Sequence, residues 1–282
     1  MTAPDAKPLA GRTMIMSGGS RGIGLAIALR VARDGANITL IAKTETPNPK
    51  LPGTIYTAAA EIEQAGGRVL PFVGDVRDDD AVAEAVRRTV EEFGGIDIVV
   101  NNASAIDLSP TDRIAMKKYD LMQDINCRGT FLLSKLSIPS LRRSAGAGRN
   151  PHILTLSPPL NLSPKWAGGA LAYTIAKYGM SLTTLGLAEE LKGDGIAVNS
   201  LWPRTTIATA AVRNLLGGDR MVNSSRTPEI YADAAYLVLT SPSAEATGNF
   251  YIDDEVLAAA GITDLDRYRA GDGELQLDLF LD

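Results

Sequence analysis

The chain has 282 residues with 28 basic and 33 acidic side chains, and a formal net charge of −5 argues against a nucleic-acid footprint or a polybasic membrane patch. One cysteine, Cys127, excludes an intramolecular disulfide and a thiolate metal cluster, and the one histidine, His152, closes off most histidine-based chemistry, so no metal site is expected. A reducing, cytoplasmic setting is the expectation, with no secretory apolar segment in residues 1–9 and no run reaching the ~18 to 20 apolar residues of a membrane span.

Short apolar runs alternate with amphipathic segments from end to end, the pattern of a parallel sheet covered by helices on both faces. Strands are predicted at 13–17, 38–42, 69–73, 98–101, 152–156, 197–201 and 249–252. Helical periodicity covers 23–34, 54–64, 79–93, 118–144, 172–191 and 228–240. The expected fold class is α/β, a single doubly wound sheet of seven parallel strands flanked by helices on both faces. No internal repeat or linker divides it, so one domain over 1–282 is expected, with a core of about 10–255 and a C-terminal extension at 256–282. Residues 43–53, with three prolines, and 202–226 read as loops, the second long enough for a lid. The final Leu275-Gln276-Leu277-Asp278-Leu279 alternates like an exposed or edge strand and is expected to cover a neighbouring subunit. His152 reads as a strand-edge residue.

Ser17-Gly18-Gly19-Ser20-Arg21-Gly22-Ile23-Gly24 falls where the first strand ends and the first helix begins. Glycines there let the backbone turn tightly against a pyrophosphate, whose charge meets the N–H groups of the following helix. The fold is therefore expected to be Rossmann-type. A carboxylate at the tip of the second strand would bind ribose hydroxyls, but this strand ends Leu40-Ile41-Ala42-Lys43. Arg21 and Lys43 could instead flank a 2′-phosphate, which favours NADP(H) over NAD(H). Further on, Tyr173 and Lys177 stand four apart on a helical pattern, so a phenol and an ammonium share one face. A nearby cation favours the phenolate and suits the pair to acid–base chemistry.

These residues, with Asn101-Asn102-Ala103-Ser104 and Asp124-Ile125-Asn126-Cys127-Arg128-Gly129-Thr130, resemble the short-chain dehydrogenase/reductase family over roughly residues 10–255. The resemblance implies Tyr173 as general acid/base, with Lys177 holding the nicotinamide ribose and lowering the tyrosine pKa. It implies a proton-relay water at the main-chain carbonyl of Asn126. It places Asp75 and Val76 at the adenine, Asn102 and Ala103 near the adenosine ribose, and Ser17, Gly18, Ser20, Arg21, Gly22, Ile23 and Gly24 at the cofactor phosphates. Relatives commonly form homo-oligomers, dimers or tetramers, through the helix that carries the tyrosine. Runs such as Ile41-Ala42-Lys43-Thr44 and Ala172-Tyr173-Thr174-Ile175-Ala176-Lys177 point to one branch whose animal members carry a further C-terminal sterol-carrier domain; a stand-alone relative is expected here.

Two departures stand out. Pro158 holds the place of the family's substrate-orienting serine in a lengthened loop, leaving Ser157, Asn161 or Ser163 for the role, of which Ser157 is the candidate carried forward. After the sixth strand the family's Pro-Gly reads Pro203-Arg204, with Ile207 and Thr209 as counterparts of its nicotinamide contacts and Arg204 either a phosphate contact, a pocket residue or a solvated arginine. Trp166 and Trp202 border the inferred pocket, and Trp202, Ile207, Ala210, Ala211, Leu215 and Leu216 make a low-charge substrate loop. The expected function is NADP-dependent interconversion of a carbonyl and a secondary alcohol on a small apolar or lipid-like substrate. The competing reading is an NADP-binding sensor or scaffold with little catalytic activity.

Overall fold

Seven short apolar strands pair in parallel in a computed structural model that describes residues 7–47 and 53–282, the side chains of Leu215 and Leu216 excepted. They are β1 (Thr13–Ser17), β2 (Asn37–Ala42), β3 (Arg68–Val73), β4 (Ile98–Asn101), β5 (His152–Thr155), β6 (Ala197–Trp202) and β7 (Phe250–Ile252). Their order is β3-β2-β1-β4-β5-β6-β7, every neighbouring pair parallel. The chain runs outward from β1 to β3, then restarts on the other side at β4. That reversal opens a crevice at the carboxyl ends of β1 and β4, where Ser17 pairs with Asn101.

Side-chain alternation divides the core between two faces. Met14 and Met16 point to one, with Ile38 and Leu40, against α1 (Gly22–Ala32), α2 (Ile55–Gln64) and later α10. Ile15, Ile41 and Val99 point to the other, against α3 (Asp79–Phe93) and later α5 and α7. Thr54 caps α2 reciprocally with Thr57, and the Asp78 carboxylate accepts from Asp80 and Ala81 to start α3.

The helix predicted over 118–144 is broken. It runs as α4 (Met116–Met122), a π-helical turn at Gln123–Arg128 and α5 (Gly129–Gly146). The extra residue in the wide turn is invisible to periodicity, because both halves keep helical spacing; it turns Asn126 fully inward. Next come α6 (Pro164–Gly169) and α7 (Leu171–Glu190). The predicted loop 202–226 also differs, since it holds α8 (Ala210–Val212), a π turn at Arg213–Gly217 and α9 (Gly218–Asn223). Its ends are closed by Ala208 N–H to Arg226 O at 2.8 Å and Arg226 N–H to Thr206 O at 3.0 Å. Then follow α10 (Pro228–Thr240) and α11 (Asp253–Ala259). Of the proline-containing loop at 43–53, residues 48–52 lie outside the described residues.

His152 opens β5, fully buried, and its Nε2–H donates to Ser241 O at 3.1 Å. Burial pushes the imidazole from its ordinary 6.5 down to about 4. A depressed folded-state pKa means the neutral ring contributes stability that is complete above pH 6.5 and lost as pH falls towards 4, about 3 kcal/mol over that window. With one histidine in the chain, its imidazole Hε1 resonance is expected to titrate near pH 4 in NMR; titration near 6.5 would contradict the burial account.

Candidate active site

The glycine turn is fastened to the end of β4 by polar contacts from both sides. Ser17 Oγ accepts from the N–H groups of Asn102 at 3.2 Å and Ala103 at 3.1 Å, while Asn102 Nδ2 donates to Ser17 O at 3.0 Å and Gly18 O at 2.7 Å. The turn can come this close only without side chains. Gly18 has φ +76° and a Cβ there would lie 2.9 Å from Ala103 Cα; one on Gly24 would lie 2.5 Å from Asn102 Nδ2. Helix α1 starts from Arg21 in extended conformation with no side-chain cap, so its first-turn N–H groups face the crevice without a side-chain partner.

The crevice is a cavity of about 790 Å³ lined by Gly18, Ser20, Arg21, Gly22, Ile23, Lys43, Asp75, Val76, Asn102 and Ala103. Ser17 and Gly24 stand behind it as supports of the turn. Pro203 and Ile207, expected as cofactor contacts, are buried and do not line it; Ile207 is bridged to Arg226, and Ala208 and Thr209 face the cavity instead. At the far end Asp75 lies 3.0 Å from Lys43 Nζ and 2.6 Å from Arg77 Nη2. Hydrogen bonds from Arg77, then Lys43, hold its carboxyl well below the usual range. The Arg21 guanidinium donates to Gly53 O at 3.2 Å.

Tyr173 and Lys177 share the buried face of α7 as their spacing predicts. Lys177 Nζ donates to Leu156 O at 2.8 Å and sits 5.2 Å from the Trp202 ring centroid. Burial pushes Lys177 down to about 7, opposed by Asp278. The expected lowering of the phenol pKa is not found. Tyr173 is only 5% exposed, and desolvation, with Asp278 adding to it, raises its pKa; the ammonium meanwhile is spent on a carbonyl.

Asn126 uses its whole side chain on Ala105, accepting from its N–H at 2.7 Å and donating to its carbonyl at 3.0 Å. Ser157, expected beside the phenol, is instead fully buried with its hydroxyl 2.8 Å from Ser200 Oγ, which donates to Thr184 Oγ1 at 2.9 Å. Its side chain is committed to this hydroxyl chain beneath α7. Asn161 donates to Phe280 O at 3.2 Å and Asp282 Oδ2 at 2.8 Å, and Ser163 precedes α6.

Those acceptors belong to the C-terminal segment, which folds back over its own site instead of lying free for a neighbour. Thr206 N–H donates to Gln276 O at 2.9 Å and Asp278 N–H to Arg204 O at 3.1 Å, around an antiparallel bridge between Thr205 and Leu277. Phe280 then enters a cage of rings, with centroid separations of 5.4 Å to Tyr178, 5.9 Å to Trp166 and Trp202, and 6.2 Å to Tyr173. Arg204 contacts no phosphate-binding element. It ties β6 to α11 through Asp254 at 3.1 Å and through Glu255. Phe280 and Asp278 are the site residues that sequence reasoning missed; the usable signal was the apolar alternation of the tail, which demands a surface to cover.

A family model described as short chain dehydrogenase matches residues 12–217. Hydroxysteroid dehydrogenase-like protein 2 from Xenopus tropicalis is 56% identical over 280 residues, covering 99% of this chain and 66% of that protein. Its human counterpart is 53% identical over 280 residues, covering 99% and 65%. The chain thus spans about two thirds of the length of these curated relatives. A short chain dehydrogenase crystal structure from Mycobacterium thermoresistibile superposes with TM-score 0.90 at 60% identity, covering 97% of this chain and 96% of that one. A dehydrogenase crystal structure from Xanthomonas campestris superposes with TM-score 0.93 at 54% identity, covering 97% of this chain and 99% of that one. The chain belongs to the short-chain dehydrogenase/reductase family of oxidoreductases.

Proposed function

We propose that the protein is an NADP-dependent oxidoreductase that interconverts a carbonyl and a secondary alcohol on an apolar substrate, with Tyr173 as general acid/base. The observation that carries this reading is the buried Tyr173–Lys177 face of α7, set in an apolar cluster that includes Met122, Trp202 and Ile252. Such a lining favours a lipid-like or ring-bearing substrate over a charged one. A phenol with a raised pKa stays protonated at neutral pH, which is the form that donates to a carbonyl oxygen.

A dinucleotide fits the crevice, because the glycine turn leaves no room for side chains and the start of α1 presents backbone donors. When bound, the cofactor supplies the hydride donor or acceptor. The residues from Gly18 to Ile23 would meet its pyrophosphate, Asp75 and Val76 its adenine, and Asn102 and Ala103 its adenosine ribose. Arg21 and Lys43 would meet a 2′-phosphate in exchange for their present partners, Gly53 O and Asp75. Lys177 would hold the nicotinamide ribose, and the main-chain carbonyl of Asn126, in the widened turn, would hold a relay water. Ala208 and Thr209 take the place expected for Ile207.

The whole chain is read as one such domain acting in the cytoplasm. Among the described residues no helix is long and apolar enough to cross a membrane. A homo-oligomer, dimer or tetramer, is supported by the exposed stripe of Leu171, Ile175, Leu182 and Leu185 along α7 and by the exposed Phe131 of α5. The sensor reading draws on the covered phenol and on Ser157 being bonded to Ser200. A panel of ketones, aldehydes and alcohols followed by NADPH absorbance, alongside a cofactor titration, separates the two: binding without turnover favours the sensor.

Tyr173→Phe is expected to lower kcat by about 10²- to 10⁴-fold while NADPH affinity holds, and undiminished turnover would sink the acid–base assignment. Lys43→Asp should weaken NADPH binding by about tenfold or more and improve NADH relative to it. Isothermal titration with both nucleotides checks this, and an unchanged ratio removes Lys43 from the phosphate site.

A further inference from the structure

A general acid has to come within hydrogen-bond distance of the oxygen it protonates, roughly 2.6–3.2 Å. Tyr173 cannot do so as it stands. It is 5% exposed, with the Phe280 ring stacked at 6.2 Å and an interplanar angle of 28°. The tail that brings Phe280 there is anchored in two different ways. Residues 276–278 are held by main-chain pairing to residues 204–206. Beyond them the tip is held by side chains: Trp202 Nε1–H donates to Leu279 O at 2.9 Å, Asn161 reaches Phe280 O and Asp282, and Lys165 pairs with Asp282. The Lys165–Asp282 pair is more than half exposed on both sides, so water and salt compete with it readily. The backbone at Phe280 also has φ +72°, a strained conformation for a bulky aromatic that is relieved once the tip lets go.

We propose that Phe280 is an intramolecular plug in the substrate subsite, that residues 279–282 swing away as substrate enters, and that the vacated ring cage takes a planar aromatic or alicyclic group beside the reacting oxygen. The proposal rests on the acid–base reading of Tyr173 and adds to it the class of substrate and the way access is controlled. The ring preference follows from the cage itself. Trp166, Tyr178, Trp202 and Tyr173 surround Phe280 at 5.4–6.2 Å, the separation at which aromatic rings pair, so a flat ring recovers every contact that Phe280 gives up. A linear alkyl chain recovers fewer of them.

The molecule carries its own reporter. Trp166 and Trp202 are its only tryptophans, and both border Phe280. In the full chain, Phe280→Ala is expected to increase acrylamide quenching of tryptophan fluorescence. It should also bind 2-naphthol about tenfold more tightly than the wild type, because the plug no longer lowers the competent fraction, with a smaller gain for n-octanol. Deleting residues 279–282, which leaves the paired residues 276–278 in place, should reproduce both changes. Quenching and 2-naphthol affinity unchanged in the folded deletion variant would overturn the plug, and an equal gain for n-octanol would overturn the ring preference. Neither readout involves turnover. Tyr173→Phe, which keeps its ring, should bind 2-naphthol as the wild type does even if the phenol proves not to be the acid.

Discussion

The close approach of Gly18 to Asn102 and Ala103 across the junction of β1 and β4 is the contact on which the site depends. Four hydrogen bonds cross that gap, from two backbone N–H groups to Ser17 Oγ and from Asn102 Nδ2 to two carbonyls. They fix the glycine turn against the sheet at the point where strand order reverses, and so fix where α1 begins. Adding a methyl group at Gly18 or Gly24 would push against backbone or against the Asn102 amide, with no flexible side chain to absorb it. One strand further along, the same carboxyl edge presents Leu156 O to Lys177, so the sheet that builds the nucleotide crevice also positions the ammonium.

At the phenol and ammonium, two effects compete. A neighbouring cation stabilises phenolate, whereas burial destabilises any charge. Burial prevails in the closed arrangement: Tyr173 is pushed up, Lys177 down to about 7, and Asp278 up to about 7, each towards its neutral form. The tail that brings Phe280 over the site supplies steric cover, while its Asp278 adds to the rise of Tyr173 and opposes the fall of Lys177.

The sheet was legible because its strands are short and buried on both faces, so Met14-Ile15-Met16 and Ile98-Val99-Val100 read as continuous apolar runs between helical patterns. The glycine turn and the Tyr173–Lys177 face were legible for a related reason: their chemistry depends on local spacing. What escaped was set by tertiary contact. The π turn around Asn126 keeps helical spacing while displacing one residue, and the inward direction of Ser157 depends on Ser200 and Thr184, both far along the chain. The elements within 202–226 are short, and their closure through Arg226 joins residues with no shared periodicity. The tail's alternation signalled a covered face without saying which face it was.

The covered site is built from both sides. The loop after β5 contributes Asn161, Lys165 and Trp166, and all three contact the tip of the tail. The carbonyl of Arg204 accepts from Asp278 N–H and its guanidinium is locked to Asp254 and Glu255. Pro158 presents its carbonyl to Ser181 Oγ at 2.6 Å and so pins the start of that loop to α7. Contacts from the loop after β5 and from the residues after β6 thus converge on seating the Phe280 ring against Tyr173.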